Sequence, residues 1–172
     1  GDDGKASGAV FVIPNAPTLW DFGALGTKLP VGTWRLEGES GPVSMTDVTV
    51  AIGLGAWTFD RYRAIKAKPG PRFVWPAGAD KKRATATVEA ICMARGLITT
   101  PSSDMGPAEL AAAAQALAKA HKAKVRTIVG DDLLKQNYPT IHAVGRASVR
   151  APRLIDLTWG KASHPKVTLV GK

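Results

Sequence analysis

The sequence predicts an α/β fold, and three observations carry it. Short apolar runs bounded by proline or glycine, such as A-V-F-V-I at 9–13 and V-T-L-V at 167–170, read as strands. Between them lie segments whose apolar residues recur at three- and four-residue steps behind capping residues, the signature of helices. The two kinds alternate along the chain, which is the pattern of an α/β protein. Of the 172 residues, 45% are hydrophobic and 22% charged, enough apolar surface for a real core.

In chain order, Ala9–Ile13 predicts an inner strand closed by Pro14. From Pro14 to Pro30 the chain is broken repeatedly. Trp20, Phe22 and Leu25 lie within that stretch, which therefore reads as a packed loop or short helix, with Trp20 and Trp34 as packing anchors. Thr33–Leu36 is a second strand. A helix opens at Ser44, with Asp47 at capping-box spacing, and buries Val48, Ala51, Ile52, Gly55, Ala56 and Phe59. Gly53 and Gly55 within it would allow close packing against a sheet; the fragment lacks the third glycine of a phosphate loop and follows no strand. Arg61–Pro71 is a basic loop and Arg72–Trp75 a strand. Asp80 caps a helix to Leu97 whose first turn holds Lys81, Lys82 and Arg83 against the helix dipole, so a carboxylate or a neighbouring subunit is expected there.

The turn-rich stretch T-T-P-S-S-D-M-G-P at 99–107 marks a boundary. Pro107 suits the first position of the alanine-rich helix that follows, Ala108–Lys122. Val125–Val129 is a strand, Asp131 caps a short helix to Gln136, and Ile141–Val144, Leu154–Trp159 and Val167–Val170 are three further strands.

There are 23 Lys and Arg against 14 Asp and Glu, a net charge of +9. That balance permits nucleic acid, an anionic surface or an acidic ligand as partner, and eight basic residues between Arg61 and Arg83 are the place such a partner would bind. A single cysteine, Cys92, precludes an intramolecular disulfide and suits a reducing compartment. No apolar run is long enough to span a membrane, and the polar start G-D-D-G-K does not read as a signal peptide, so the expectation is a cytoplasmic, non-membrane protein.

Residue chemistry alone assembles no catalytic constellation. His121, His142 and His164 share no ligand spacing and read as a helix-end charge, a sheet residue and a turn residue. Gly145-Arg-Ala-Ser148 lacks the frame of a nucleophile elbow, and Cys92 reads as a small core residue. The remaining feature is Lys172, delivered to the carboxyl end of the predicted strand 167–170, where ligands bind in α/β sheets; by itself it reads as a solvated lysine.

Taken together, several segments resemble the leucyl aminopeptidases, the cytosol aminopeptidase family. A-R-G-L-I-T-T-P-S-S-D-M-G-P-A-E-L at 94–110 is similar to that family's interdomain segment. H-A-V-G-R-A-S at 142–148, A-P-R-L-I-D-L-T-W at 151–159 and V-T-L-V-G-K at 167–172 follow in its order and spacing. G-L-G-A-W-T-F-D-R-Y-R at 53–63 is similar to its late N-terminal domain. Thr99 and Ser103 replace asparagines of the link motif, and Ala147 replaces a glycine before Ser148.

The resemblance implies residues 1–80 as the later part of a macro-like α/β domain and 81–98 as a linking helix. It implies 101–172 as the opening of an α/β/α catalytic domain, truncated at Lys172. It implies a two-metal enzyme, with manganese or zinc, that removes N-terminal residues from peptide substrates and assembles as a homo-hexamer. Lys172 matches the lysine that holds one ion through a neutral amine, a state that a divalent ion favours. Two ions would polarise the peptide carbonyl and activate a bridging water. The carboxylates that complete the site have no counterpart here, so this stretch holds no catalytic residue of its own and is expected to be inactive alone. The alternative is a basic α/β module that binds nucleic acid or a second subunit.

Overall fold

Helix formation is dictated first at Ser44. In the computed structural model, which describes residues 6–64 and 69–171, its hydroxyl accepts from the Asp47 amide at 3.1 Å and donates to the Asp47 carboxylate at 2.8 Å. Helix α2, Met45–Gly55, starts there. It belongs to the first of two units, residues 1–99; the second is 100–172.

In the first unit α2 is buried on two sides. Val48, Ala51 and Ile52 meet Phe22 and Leu25, which lie on a 3-10 turn at Leu19–Phe22 and on helix α1 at Leu25–Lys28. Val50 and Leu54 meet Ala84, Val88, Ile91 and Cys92 of helix α3, Lys81–Thr99. The glycines of α2 serve these helix contacts rather than a sheet. A Cβ on Gly55 would strike the Gly23 carbonyl, and one on Gly53 would lie 2.8 Å from Val88. Helix α2 ends at Gly55, so Phe59 falls beyond it, in an aromatic run with Trp57 and Tyr62 at 6.3 and 5.9 Å between ring centres.

Helix α3 accommodates its basic first turn within the unit. Asp80 accepts from the Arg83 amide at 3.0 Å, and the Lys81 ammonium sits 5.3 Å from the centre of the Trp75 ring. Further along, Arg95 donates to the Leu54 carbonyl at 2.9 Å and stacks over Trp57, closing the C-terminal end of α2. Arg95→Ala is therefore expected to cost about 1.5–2 kcal/mol. Urea unfolding of the 172-residue chain checks it; a midpoint equal to that of the unsubstituted chain would refute the contact's role.

Strand β1, Gly32–Trp34, pairs in parallel with β2, Pro71–Phe73, in the register Thr33↔Arg72. Both lie within two residues of the predicted strands. The predicted strand at Ala9–Ile13 does not form. Its alternation survives, since Phe11 lies 6.1 Å from Phe22 and Ile13 touches the core while Val10 and Val12 are 94% and 84% exposed. No described strand lies beside it to take up its hydrogen bonds. Trp20 is 67% exposed and is not a buried anchor; Phe22 fills that role, and Trp34 is half-buried with its indole N–H on the Pro30 carbonyl at 2.9 Å.

The second unit opens with helix α4, Pro107–His121, whose first proline and Glu109 set its start and whose left-handed Lys122 (φ 55°) ends it. Its buried Ala111 and Ala118 allow close approach, and α4 packs on an antiparallel pair, β3 (Lys124–Val129) and β4 (Arg153–Thr158), in register Thr127↔Ile155. Gly130 then takes a left-handed turn (φ 56°) into α5, Asp132–Lys135. Asp131 does not cap α5 with its side chain; its carboxylate lies 3.0 Å from His142 Nε2.

The predicted strand at 141–144 is instead part of helix α6, Pro139–Gly145. Pro139 pre-sets the first helical turn, and four apolar residues cannot distinguish a strand from a helix turn. His142 is thus a helix residue. The predicted strand at 167–170 is also absent: Val167, Leu169 and Val170 are exposed and unpaired.

Candidate functional site

The residue expected to carry chemistry, Lys172, lies outside the described residues. The chain that leads to it is visible. Strand β4 ends at Thr158, and Trp159 follows with its indole N–H donating to the His121 carbonyl at the end of α4 (3.1 Å). Residues 160–171 then run without helix or strand, apart from a turn in which the His164 amide reaches the Lys161 carbonyl.

The histidines are dispersed. His121 ends α4, His142 faces Asp131 from α6, and His164 sits in that turn. Among the described residues no group of three or more His, Cys, Asp or Glu could hold a metal ion. The Asp131–His142 pair supplies two donors, and an ion needs more than two protein ligands in a stable site. Cys92 is half-buried against Val50, Leu54 and Ala84 and is a packing residue. Ser148 accepts from the Arg150 amide at 3.1 Å rather than facing a base.

The shifted titrations sit at helix ends. Asp21 is held below the usual carboxylate range by the Thr18 amide and hydroxyl. Glu109 is lowered by its own amide and that of Gly106, with Arg150 and Arg153 nearby. Lys135 is raised by Asp132, 2.7 Å away. Glu109 and Lys135 are exposed and Asp21 is half-buried; all three serve as caps and ion pairs, so none marks a catalytic cleft.

Two apolar clefts occur in the first unit. One of 330 Å³ lies among Phe11, Phe22, Trp34, Met45 and Phe73, and one of 380 Å³ among Ile52, Trp75, Ala84 and Val88. The first is also bordered by Lys28, Arg35, Glu37, Glu39 and Ser40, whereas the second is lined mainly by apolar side chains. Of the basic stretch, Arg61 lies over Tyr62 and Lys81 over Trp75, while Lys66 and Lys68 lie outside the described residues.

The order of the segments around these features decides the family. A sequence model described as the M17 aminopeptidase N-terminal domain matches residues 1–76, and one described as the cytosol aminopeptidase family catalytic domain matches residues 92–172. The chain belongs to the cytosol aminopeptidase family. It is similar to a probable cytosol aminopeptidase of Rhodococcus jostii, 36% identical over 137 residues, which takes in 70% of this chain and 27% of the relative. It is 33% identical to one from Nocardia farcinica over 82% of this chain and 30% of the relative.

Among solved structures, the cytosol aminopeptidase of Coxiella burnetii superposes with a TM-score of 0.76 at 39% identity, over 85% of this chain and 32% of that one. The bottromycin maturation enzyme BotP, solved with Mn, shares the fold at a TM-score of 0.67 and 24% identity, over 86% of this chain and 34% of that one. The chain therefore spans a little under a third of the length of the cytosol aminopeptidases it matches. The α/β class is that of these structures, and both family models lie in the order in which the sequence motifs stand. No helix among the described residues is long and apolar enough to cross a membrane.

Two residues have a long reach: the sequence does not single out Arg150, and it places Arg95 only on one helix face with Val88, Ile91 and Cys92. Arg95 and Arg150 each bind backbone carbonyls more than 40 residues away in the chain. Such contacts leave no local spacing to read.

Proposed function

We propose that this chain is part of a two-metal leucyl aminopeptidase that releases N-terminal residues from peptides, and that Lys172 is one of its metal ligands. The observation that carries the reading is the pairing of an N-terminal-domain match with a catalytic-domain match, in family order, on one short chain. On this reading residues 1–80 contribute the later N-terminal domain, 81–98 the link and 101–172 the opening of the catalytic domain. The described residues hold no donor set for the ions. The remaining ligands would come from sequence that follows Lys172 in a longer polypeptide, and no chemical step is assigned to the residues described. Lys172 would serve as a neutral amine, a form stabilised by an adjacent divalent cation. Manganese or zinc are the ions proposed, with a cytoplasmic homo-hexamer as the working assembly.

Leucyl p-nitroanilide hydrolysis tests this, using the 172-residue chain and the natural polypeptide that carries it. With Mn²⁺ or Zn²⁺ the longer polypeptide is expected to turn over, to lose activity on chelation and to regain it on metal return. The 172-residue chain is expected to show no turnover. Chelator-insensitive or absent hydrolysis by the longer polypeptide would overturn the assignment, and turnover by the short chain would overturn its inactivity. Light scattering of the longer polypeptide checks the hexamer.

A further inference from the structure

We propose that Arg150 is a latch that holds shut the turn opening the second unit, so that residues 101–106 open locally without unfolding the β3–β4 pair. The Arg150 guanidinium donates to the Ser102 carbonyl at 2.7 Å and also to the Ser103 carbonyl, gripping two successive peptide units with one planar fork. Its Nη1 lies 4.0 Å from Glu109, which in turn accepts the Gly106 amide at 2.9 Å. The arginine is itself steadied, because its amide donates to the Ser148 hydroxyl. One side chain thus joins the start of the unit to the loop entering β4, across 47 and 48 residues of chain.

Two further features make this a latch rather than ordinary packing. The Arg150 side chain is 41% exposed, so water can replace each bond and the grip is reversible. Gly106 is the seat of the fork: a Cβ there would overlap the guanidinium. Inside the turn, the Asp104 and Met105 amides both reach the Pro101 carbonyl at 2.9 Å. These two amides report on whether the turn is closed, while those of β3 and β4 report on the ladder.

Amide hydrogen exchange on the 172-residue chain provides the test. In Arg150→Ala the Asp104 and Met105 amides are expected to exchange about tenfold faster or more, with the β3–β4 ladder unchanged. Gly106→Ala keeps every latch residue and is expected to give the same local pattern by displacing the fork. Arg150→Lys, which keeps the charge but loses the fork, is expected to fall between. Unchanged turn exchange in Arg150→Ala would overturn the latch. Equal acceleration of turn and ladder in all folded variants would overturn it too, since that is global loosening. If Arg150→Ala does not fold, the same two criteria apply to Gly106→Ala and Arg150→Lys.

Discussion

Gly55→Ala is expected to destabilise the first unit by about 3 kcal/mol, at the upper end of what an added methyl costs in a close-packed interior. The methyl would meet backbone, not a side chain that could swing away: the Gly23 carbonyl carbon at 2.7 Å and its Cα at 3.0 Å. The facing surface is equally closed, since a Cβ on Gly26 would overlap the Ile52 carbonyl and lie 2.8 Å from the Ala56 nitrogen. Two backbone segments therefore meet with nothing between them, and either must move to admit a methyl. Moving α2 also disturbs Val48 and Ala51, which are 1% and 2% exposed. Gly96→Ala is the control. It lies within α3, where a Cβ meets nothing within 4 Å, and gains roughly 0.5–1 kcal/mol from helix propensity alone. Urea unfolding followed by tryptophan fluorescence separates the two. Equal midpoints for Gly55→Ala and Gly96→Ala would rule out the backbone contact.

Leu133→Ala is expected to cost about 3 kcal/mol in the second unit, within the range for removing a buried leucine. Leu133 is fully buried, at 0% exposure, on a helix of only four residues. Such a helix has no stability of its own. It persists because this side chain is enclosed and because the Leu133 carbonyl accepts the Tyr138 amide at 2.7 Å, turning the chain into α6. Loss of the side chain is expected to release α5 and α6 together, and with them the Asp131–His142 pair. Denaturant unfolding gives the magnitude, and amide exchange shows where it is felt. A loss below about 1 kcal/mol would mean that the site collapses around the smaller side chain.

These elements also show what the sequence discloses and what it cannot. Helices α2, α3 and α4 were legible because each begins with a local chemical signal: Ser44 with Asp47, Asp80, and Pro107 with Glu109. Strands β3 and β4 were legible because each has a partner to complete it. The runs at 9–13 and 167–170 have the same composition and fail as strands. Pairing is a property of the neighbour, and no described strand lies beside them. The run at 141–144 fails for a different reason, since a proline two residues earlier suits a helix start equally well.

For the site, the motifs identified the family but placed its chemistry on Lys172. That residue lies outside the described residues, and among the described residues no group of three or more His, Cys, Asp or Glu could hold a metal ion. Within each unit the long-range contacts, that of Arg95 in the first and that of Arg150 in the second, act across distances that no motif spans.

The unpaired runs have a consequence for the chain in solution. Val10, Val12, Val167, Leu169 and Val170 present exposed apolar side chains in runs that pair with no described strand. Such runs join readily to one another between molecules. What opposes this is the +9 charge, which keeps like molecules apart. The reach of that repulsion falls from about 30 Å at 0.01 M salt to about 8 Å at 0.15 M. Self-association of the 172-residue chain is therefore expected to rise with ionic strength, and light scattering in dilute and salt-containing buffer checks it; no change with salt would refute it.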